Sequence, residues 1–251
     1  MSMYILKDSK HIESIVKCFT DDTNAIRNEI ALEYHLPTGN FRNFMTWDII
    51  FGRLADKLCK EEFEILELKR GTWTLNAPLH KSTGMLYLFT KEANLKIVEK
   101  KLTLKKPHYF YSLSSINGDL DVDAGQLSLK YLDDEDSLVY LTRDAIKVLG
   151  DAYSKVKQVL IVVGTERYKK MTDVSVHLYN QNFELCDSVN WSEYISNIDY
   201  EDILPSTAAV NEETQATTIA KLKKKIEEPD LSIAKLKKEK VYVQKDKEGT
   251  I

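Results

Sequence analysis

The sequence predicts an α+β fold: a mixed sheet of about five to six strands with flanking helices, followed by a flexible charged tail. Three observations carry this. Apolar residues recur at helical spacing through the first sixty positions, then give way to strand-like runs from residue 63. Gln158–Val163 is a continuous, β-branched apolar run, the pattern of a central strand buried on both faces. Beyond Leu204 the apolar pattern thins into small and polar residues and then into lysine-rich sequence.

The elements follow in order. Ile12, Ile15, Val16 and Phe19 predict a helix over His11–Phe19, and Ile26 and Ile30 a second over Asn24–Tyr34, stopping before Pro37 and Gly39. The third helix has the clearest stripe: Trp47, Ile50, Phe51, Leu54, Ala55 and Leu58, with Thr46 as its cap and Asp48 at the positive end of its dipole. Phe63–Lys69 then reads as a strand, Arg70-Gly71 as a tight reversal and Thr72–Leu75 as the partner strand. Pro78 falls in a loop, and Gly84–Phe89 is a third strand. Lys91–Leu102 returns to helix, Pro107 breaks it, and His108–Ile116 forms a short helix. Asp119–Asp136 is an acidic surface loop, and Leu138–Val156 is helical. Val174–Tyr179 and Phe183–Ser188 form a hairpin around Asn180-Gln181-Asn182, with Val174, Val176 and Leu178 alternating with Ser175 and His177. Asn190, with Glu193 at the capping-box position, is expected to open a last helix running to about Ile198.

The domain reading is residues 1–203 as one globular body, 204–218 as a linker and 219–251 as a Lys/Glu-rich tail. In the tail Ile219-Ala-Lys-Leu-Lys-Lys recurs at Ile233, and its apolar content is too thin to offset the entropy of ordering. Hydrophobic residues make up 43% of the chain, enough for a real core, and a net charge of −4 gives no global signal for nucleic acid. No run of about 18 apolar residues exists to span a membrane, and the first ten residues lack the apolar stretch of a signal peptide, so the expected location is the cytoplasm. Cys18, Cys59 and Cys186 are odd in number and far apart, which argues against a disulfide framework. Cys18 and Cys59 are expected as small buried hydrophobes.

Several stretches together carry a resemblance: Trp47-Asp48, Lys69-Arg70-Gly71-Thr72-Trp73, Gly84-Met85-Leu86-Tyr87, His108-Tyr109, Val159-Leu160-Ile161-Val162, Asp187 and Asn190-Trp191-Ser192-Glu193-Tyr194-Ile195. Over about residues 10–198 the chain resembles domain of unknown function 5986, a family of uncharacterised bacterial proteins. The resemblance brings no activity. It implies an accessory protein of a bacterium or prophage, with a role in binding rather than metabolism.

Two constellations suggest chemistry. Glu67 and Lys69 are two apart on a strand and project to one face beside Phe63 and Ile65. A carboxylate holding Mg²⁺ beside a lysine that positions water is the geometry of metal-dependent nucleases, and the helix, three strands, helix, strand order is distantly similar to the restriction-endonuclease-like core. In that fold, however, the pair sits on a later strand after an aspartate. Here Asp48 is the nearest acidic candidate, and an exposed ion pair explains the same residues. The second constellation is Lys105 and Lys106 ahead of His108 and Tyr109, which suits phosphate neutralisation and base stacking, or equally a solvated helix end followed by core aromatics. Asp119, Asp121 and Asp123 lack the glycine and glutamate of a calcium loop, the five histidines have no metal-helix spacing, and no GxSxG, P-loop or GxGxxG is present. The functional expectation is therefore a non-enzymatic protein-binding module, with Trp73 and Arg70 at a hairpin tip among its contacts. A protein partner or self-association is expected and nucleic acid stays open as a partner class. No cofactor is called for except Mg²⁺ under the nuclease alternative.

Overall fold

The computed structural model describes residues 8–70, 72–104, 106–122, 135–168 and 170–196. The linker and tail expected beyond residue 203, and the middle of the acidic segment, lie outside the described residues. The elements are α1 (Ser9–Thr20), α2 (Asn24–Glu33), α3 (Arg42–Lys57), β1 (Phe63–Arg70), β2 (Trp73–His80), β3 (Met85–Lys91), α4 (Glu92–Thr103), α5 (Tyr109–Ser114), α6 (Glu135–Leu149), β4 (Gln158–Arg167), β5 (Lys170–Tyr179) and β6 (Leu185–Asn190). The fold is α+β, with one mixed six-stranded sheet in the order β1-β2-β3-β4-β5-β6.

Two antiparallel meanders, β1–β3 and β4–β6, meet at a parallel β3–β4 pair, the junction that the helical crossover α4–α6 makes necessary. Those two strands are central, and their residues alternate between two cores. Leu86, Leu88, Val159 and Ile161 pack with α4, α5 and α6; Tyr87, Phe89, Leu160 and Val162 pack with α1 and α3. Helices thus cover both faces, which is why Gln158–Val163 reads as unbroken apolar sequence. Gly84 turns the chain into β3 at φ +72°, and a Cβ there would stand 2.8 Å from the Lys155 carbonyl oxygen, so only glycine fits without a shift.

Four local expectations need correction. Thr46 does not cap α3. The helix begins a turn earlier, at Arg42, and the Thr46 hydroxyl donates back to the Arg42 carbonyl at 2.7 Å. Pro78 is not in a loop but in β2, opposite Ile65. It is tolerated because β2 pairs with β3 only at Leu79 and His80, just past it. The expected last helix is a single 3₁₀ turn, Ser192–Tyr194, ahead of extended Ile195. Asn190 Oδ1 does accept from the Ser192 N–H at 2.7 Å, but the Ser192 hydroxyl accepts from Val174 N–H at 3.0 Å and buried Trp191 holds the segment in the second core. Tertiary anchoring overrides the capping signal there. Finally, Cys59 is exposed just past α3, while Cys18 is buried as expected.

Candidate functional site

The residues that bear most directly on function sit where α3 meets the β1–β2 hairpin. Phe44 lies in the first turn of α3 and Trp73 opens β2. Their rings stack with centroids 5.2 Å apart and planes 24° from parallel, yet each residue remains 55% exposed. One turn further along α3, Trp47 stacks on Phe51 at 5.7 Å and on Phe19 at 6.3 Å, which ties α3 to α1. Arg27 Nη1 donates to Thr46 Oγ1 at 2.8 Å and Arg42 Nη1 to Asn28 Oδ1 at 3.0 Å. These bonds tie α2 to α3; α2 fully buries none of its residues, and Leu32, Tyr34 and Leu36 stay exposed on the way into α3.

The other residues singled out from sequence are dispersed. Glu67 and Lys69 do share the α1/α3 side of β1 with Phe63 and Ile65. They form an ion pair at 3.0 Å with both side chains well exposed. Exposed Asp48, on α3, joins neither in a hydrogen bond or ion pair. Arg70 pairs with Trp73 across the hairpin. Lys105 lies outside the described residues, and Lys106 is exposed. His108 caps α5, its Nδ1 accepting from the Phe110 N–H at 3.2 Å, and the ring packs on Tyr109 at 4.7 Å. Phe110 and Tyr111 are core residues, with Tyr111 donating to the Val98 carbonyl, so two of the aromatics in that run are not available to stack on bases.

Sequence reasoning missed two polar clefts because their residues come together only in three dimensions. One, of about 250 Å³, lies at the carboxyl end of the parallel pair. There Lys91 pairs with Glu166, beside Asp21, Arg27 and Lys170. The other, of about 500 Å³, lies at the opposite end of the sheet between α1 and the base of the hairpin. Here His11 Nε2 meets the Glu62 carboxylate, Asp8 Oδ2 stands 3.4 Å from His11 Nδ1, and the His80 ring lies 5.4 Å away. Among the described residues no three His, Cys, Asp or Glu side chains are grouped to hold a metal ion.

The amino-acid sequence matches a family model over residues 7–241, nearly the whole chain. The chain belongs to the family of unknown function DUF5986. The match extends the resemblance seen over residues 10–198: the family domain takes in most of the lysine-rich segment as well, which the sequence patterns had placed outside it. No curated protein and no solved structure matches this DUF5986 member. No helix among its described residues is long and apolar enough to cross a membrane.

Two histidines of this DUF5986 protein are expected to make its stability pH-dependent. Burial lowers the pKa of both His177 and His80 from the ordinary value of 6.5, and nearby His11 lowers His80 further. A lowered folded-state pKa means the native state binds fewer protons than the unfolded chain. The neutral forms then contribute their full stability above about pH 6.5, and it is lost as the pH falls towards the folded values. Thermal melts from pH 8 to pH 5 should show the melting temperature falling below about pH 6.5, with a shallower fall in His177→Gln. Parallel curves for the two proteins would remove His177 from the account.

Proposed function

We propose that this protein is a cytoplasmic interaction module of a bacterium or its prophage, and that it binds another protein through the Phe44–Trp73 ridge. The observation that supports this reading is the pair itself: two large rings stacked on each other, with more than half of each left in water. An aromatic side chain buries about 150–250 Å² when fully covered, so roughly 100 Å² per ring remains to be desolvated. At about 25 cal/mol per Å² that is on the order of 2.5 kcal/mol from each ring. Little side-chain entropy is lost on binding, because the rings already restrain each other. Leu32, Tyr34 and Leu36, on the chain that leads into α3, are exposed apolar side chains as well. A net charge of −4 gives a polyanion little to hold, which favours protein over nucleic acid as partner.

The test is affinity capture with the full-length protein from its native host, comparing wild type with a Phe44→Ala/Trp73→Ala double variant. A hot-spot residue is worth about 2 kcal/mol or more, so the double variant should weaken the captured complex by at least about a hundredfold while the fold stays intact by circular dichroism. Undiminished capture by the folded double variant, or a complex that nuclease treatment dissolves, would sink the proposal. The Glu67–Lys69 nuclease alternative has no comparable support, since the pair is exposed and no second carboxylate joins it.

A further inference from the structure

Strand β5 carries a hydrogen-bonded chain that shares no residue with the ridge. Ser175, His177 and Tyr179 are alternate residues of β5, so all three project towards the α4–α6 side, where Tyr179 joins the core. Ser175 Oγ lies 2.9 Å from His177 Nε2, and His177 Nδ1 lies 3.4 Å from Tyr179 Oη. Tyr179 donates its O–H to Glu99 Oε1 of α4 at 3.1 Å.

The far end of the chain fixes the direction of every bond. The phenol proton is committed to Glu99, so Tyr179 Oη is left to accept from the imidazole. His177 therefore carries its proton on Nδ1 and presents the Nε2 lone pair to the Ser175 hydroxyl, which donates. Burial works in the same sense at two points. It lowers the His177 pKa, which keeps the imidazole neutral, and raises that of Tyr179, which keeps the phenol protonated. A hydroxyl on a neutral imidazole, oriented in turn by a third group, is the arrangement that activates a serine nucleophile. Ser175 and His177 are only half-buried, and their cross-strand neighbours on the edge strand β6, Asn190 and Ser188, are exposed.

We propose that Ser175 is a nucleophile, with His177 as its general base, and that it accepts the acyl group of a small ester. The bond from Ser175 Oγ to the acyl carbon forms while the bond from that carbon to the leaving alkoxide oxygen breaks. The Ser175 proton passes to His177 Nε2 and from there to the departing oxygen, which leaves as an alcohol. Water, giving one proton to the same nitrogen, then attacks the acyl carbon; the bond from that carbon to Ser175 Oγ breaks, the proton on Nε2 returns to Oγ, and a carboxylic acid leaves. Tyr179 and Glu99 are positioning residues that hold the base in the Nδ1–H tautomer.

The probe is a fluorophosphonate. Ser175 Oγ displaces fluoride from its phosphorus, and the serine proton again goes to Nε2. Full-length folded protein should take up one label, located at Ser175 by peptide mass spectrometry, and Ser175→Ala should take up none. His177→Gln should slow labelling by about 10²- to 10⁴-fold, the usual contribution of a general base. A nitrogen-15 correlation spectrum of the imidazole distinguishes positioning from mere packing: wild type should show His177 as the Nδ1–H tautomer, and Tyr179→Phe a mixture with slower labelling at an unchanged melting temperature. A label on another residue, no label on the folded wild type, or an Nε2–H tautomer of His177 would overturn the proposal.

Discussion

Replacing Asn117 by alanine is expected to destabilise the domain by at least about 3 kcal/mol, because three backbone hydrogen bonds depend on that one amide and each orphaned group costs roughly 1–3 kcal/mol. Asn117 Nδ2 donates to the Val159 carbonyl at 2.9 Å and to the Tyr179 carbonyl at 2.6 Å, and Oδ1 accepts from the Val159 N–H at 2.7 Å. The side chain therefore pins the turn after α5 to the start of β4 and the end of β5 at once. Alanine leaves both carbonyls and the N–H without that partner. Asn117→Asp keeps the acceptor and removes both donors, so it should also be strongly destabilising. Denaturant unfolding of the variants would read this directly, and a loss below about 1 kcal/mol for alanine, the scale of one ordinary hydrogen bond, would show that water replaces the amide.

Trp191→Ala carries the second large effect. Trp191 is 1% exposed, its ring 6.3 Å from that of Tyr87, and it closes the second core just past β6. Truncating a buried tryptophan costs about 3–5 kcal/mol through lost transfer energy and the cavity left behind. The indole adds a contrast that an ordinary core position would not. Its Nε1–H is buried without a hydrogen-bond partner, so phenylalanine removes an unsatisfied donor as well as volume. Trp191→Phe should therefore cost much less than Trp191→Ala in equilibrium unfolding. Similar losses for the two would mean that the indole is satisfied after all.

Much of the fold was legible because its two central strands and three of its helices carry strong periodicity. The alternation of Leu86, Leu88 with Tyr87, Phe89 reflects two cores pressed against one sheet, and such alternation is a local signal. What the sequence hid was set by distant contacts. Pro78 speaks for a loop unless β3 is known to pair only beyond it, and Asn190 speaks for a helix unless Trp191 and Ser192 are known to be tied to the sheet. The sites divide in the same way. Trp73 at a hairpin tip could be singled out from sequence because the reversal at Arg70-Gly71 is local, but its stacking partner Phe44 lies 29 positions earlier and nothing in the pattern joins them. The alternation of Ser175 and His177 was visible, whereas Glu99, which gives their hydrogen bonds a direction, lies 80 positions away from Tyr179.

Hydrogen exchange on the captured complex tests the central claim most directly, because it reports where the partner sits without altering the ridge. The account predicts that binding slows exchange of the amides in the first turn of α3 and at the β1–β2 hairpin tip, around Phe44 and Trp73, and leaves the amides of β5 and β6 unchanged. Protection confined to another surface, with the α3 turn and the hairpin tip exchanging as fast as in the free protein, would contradict it.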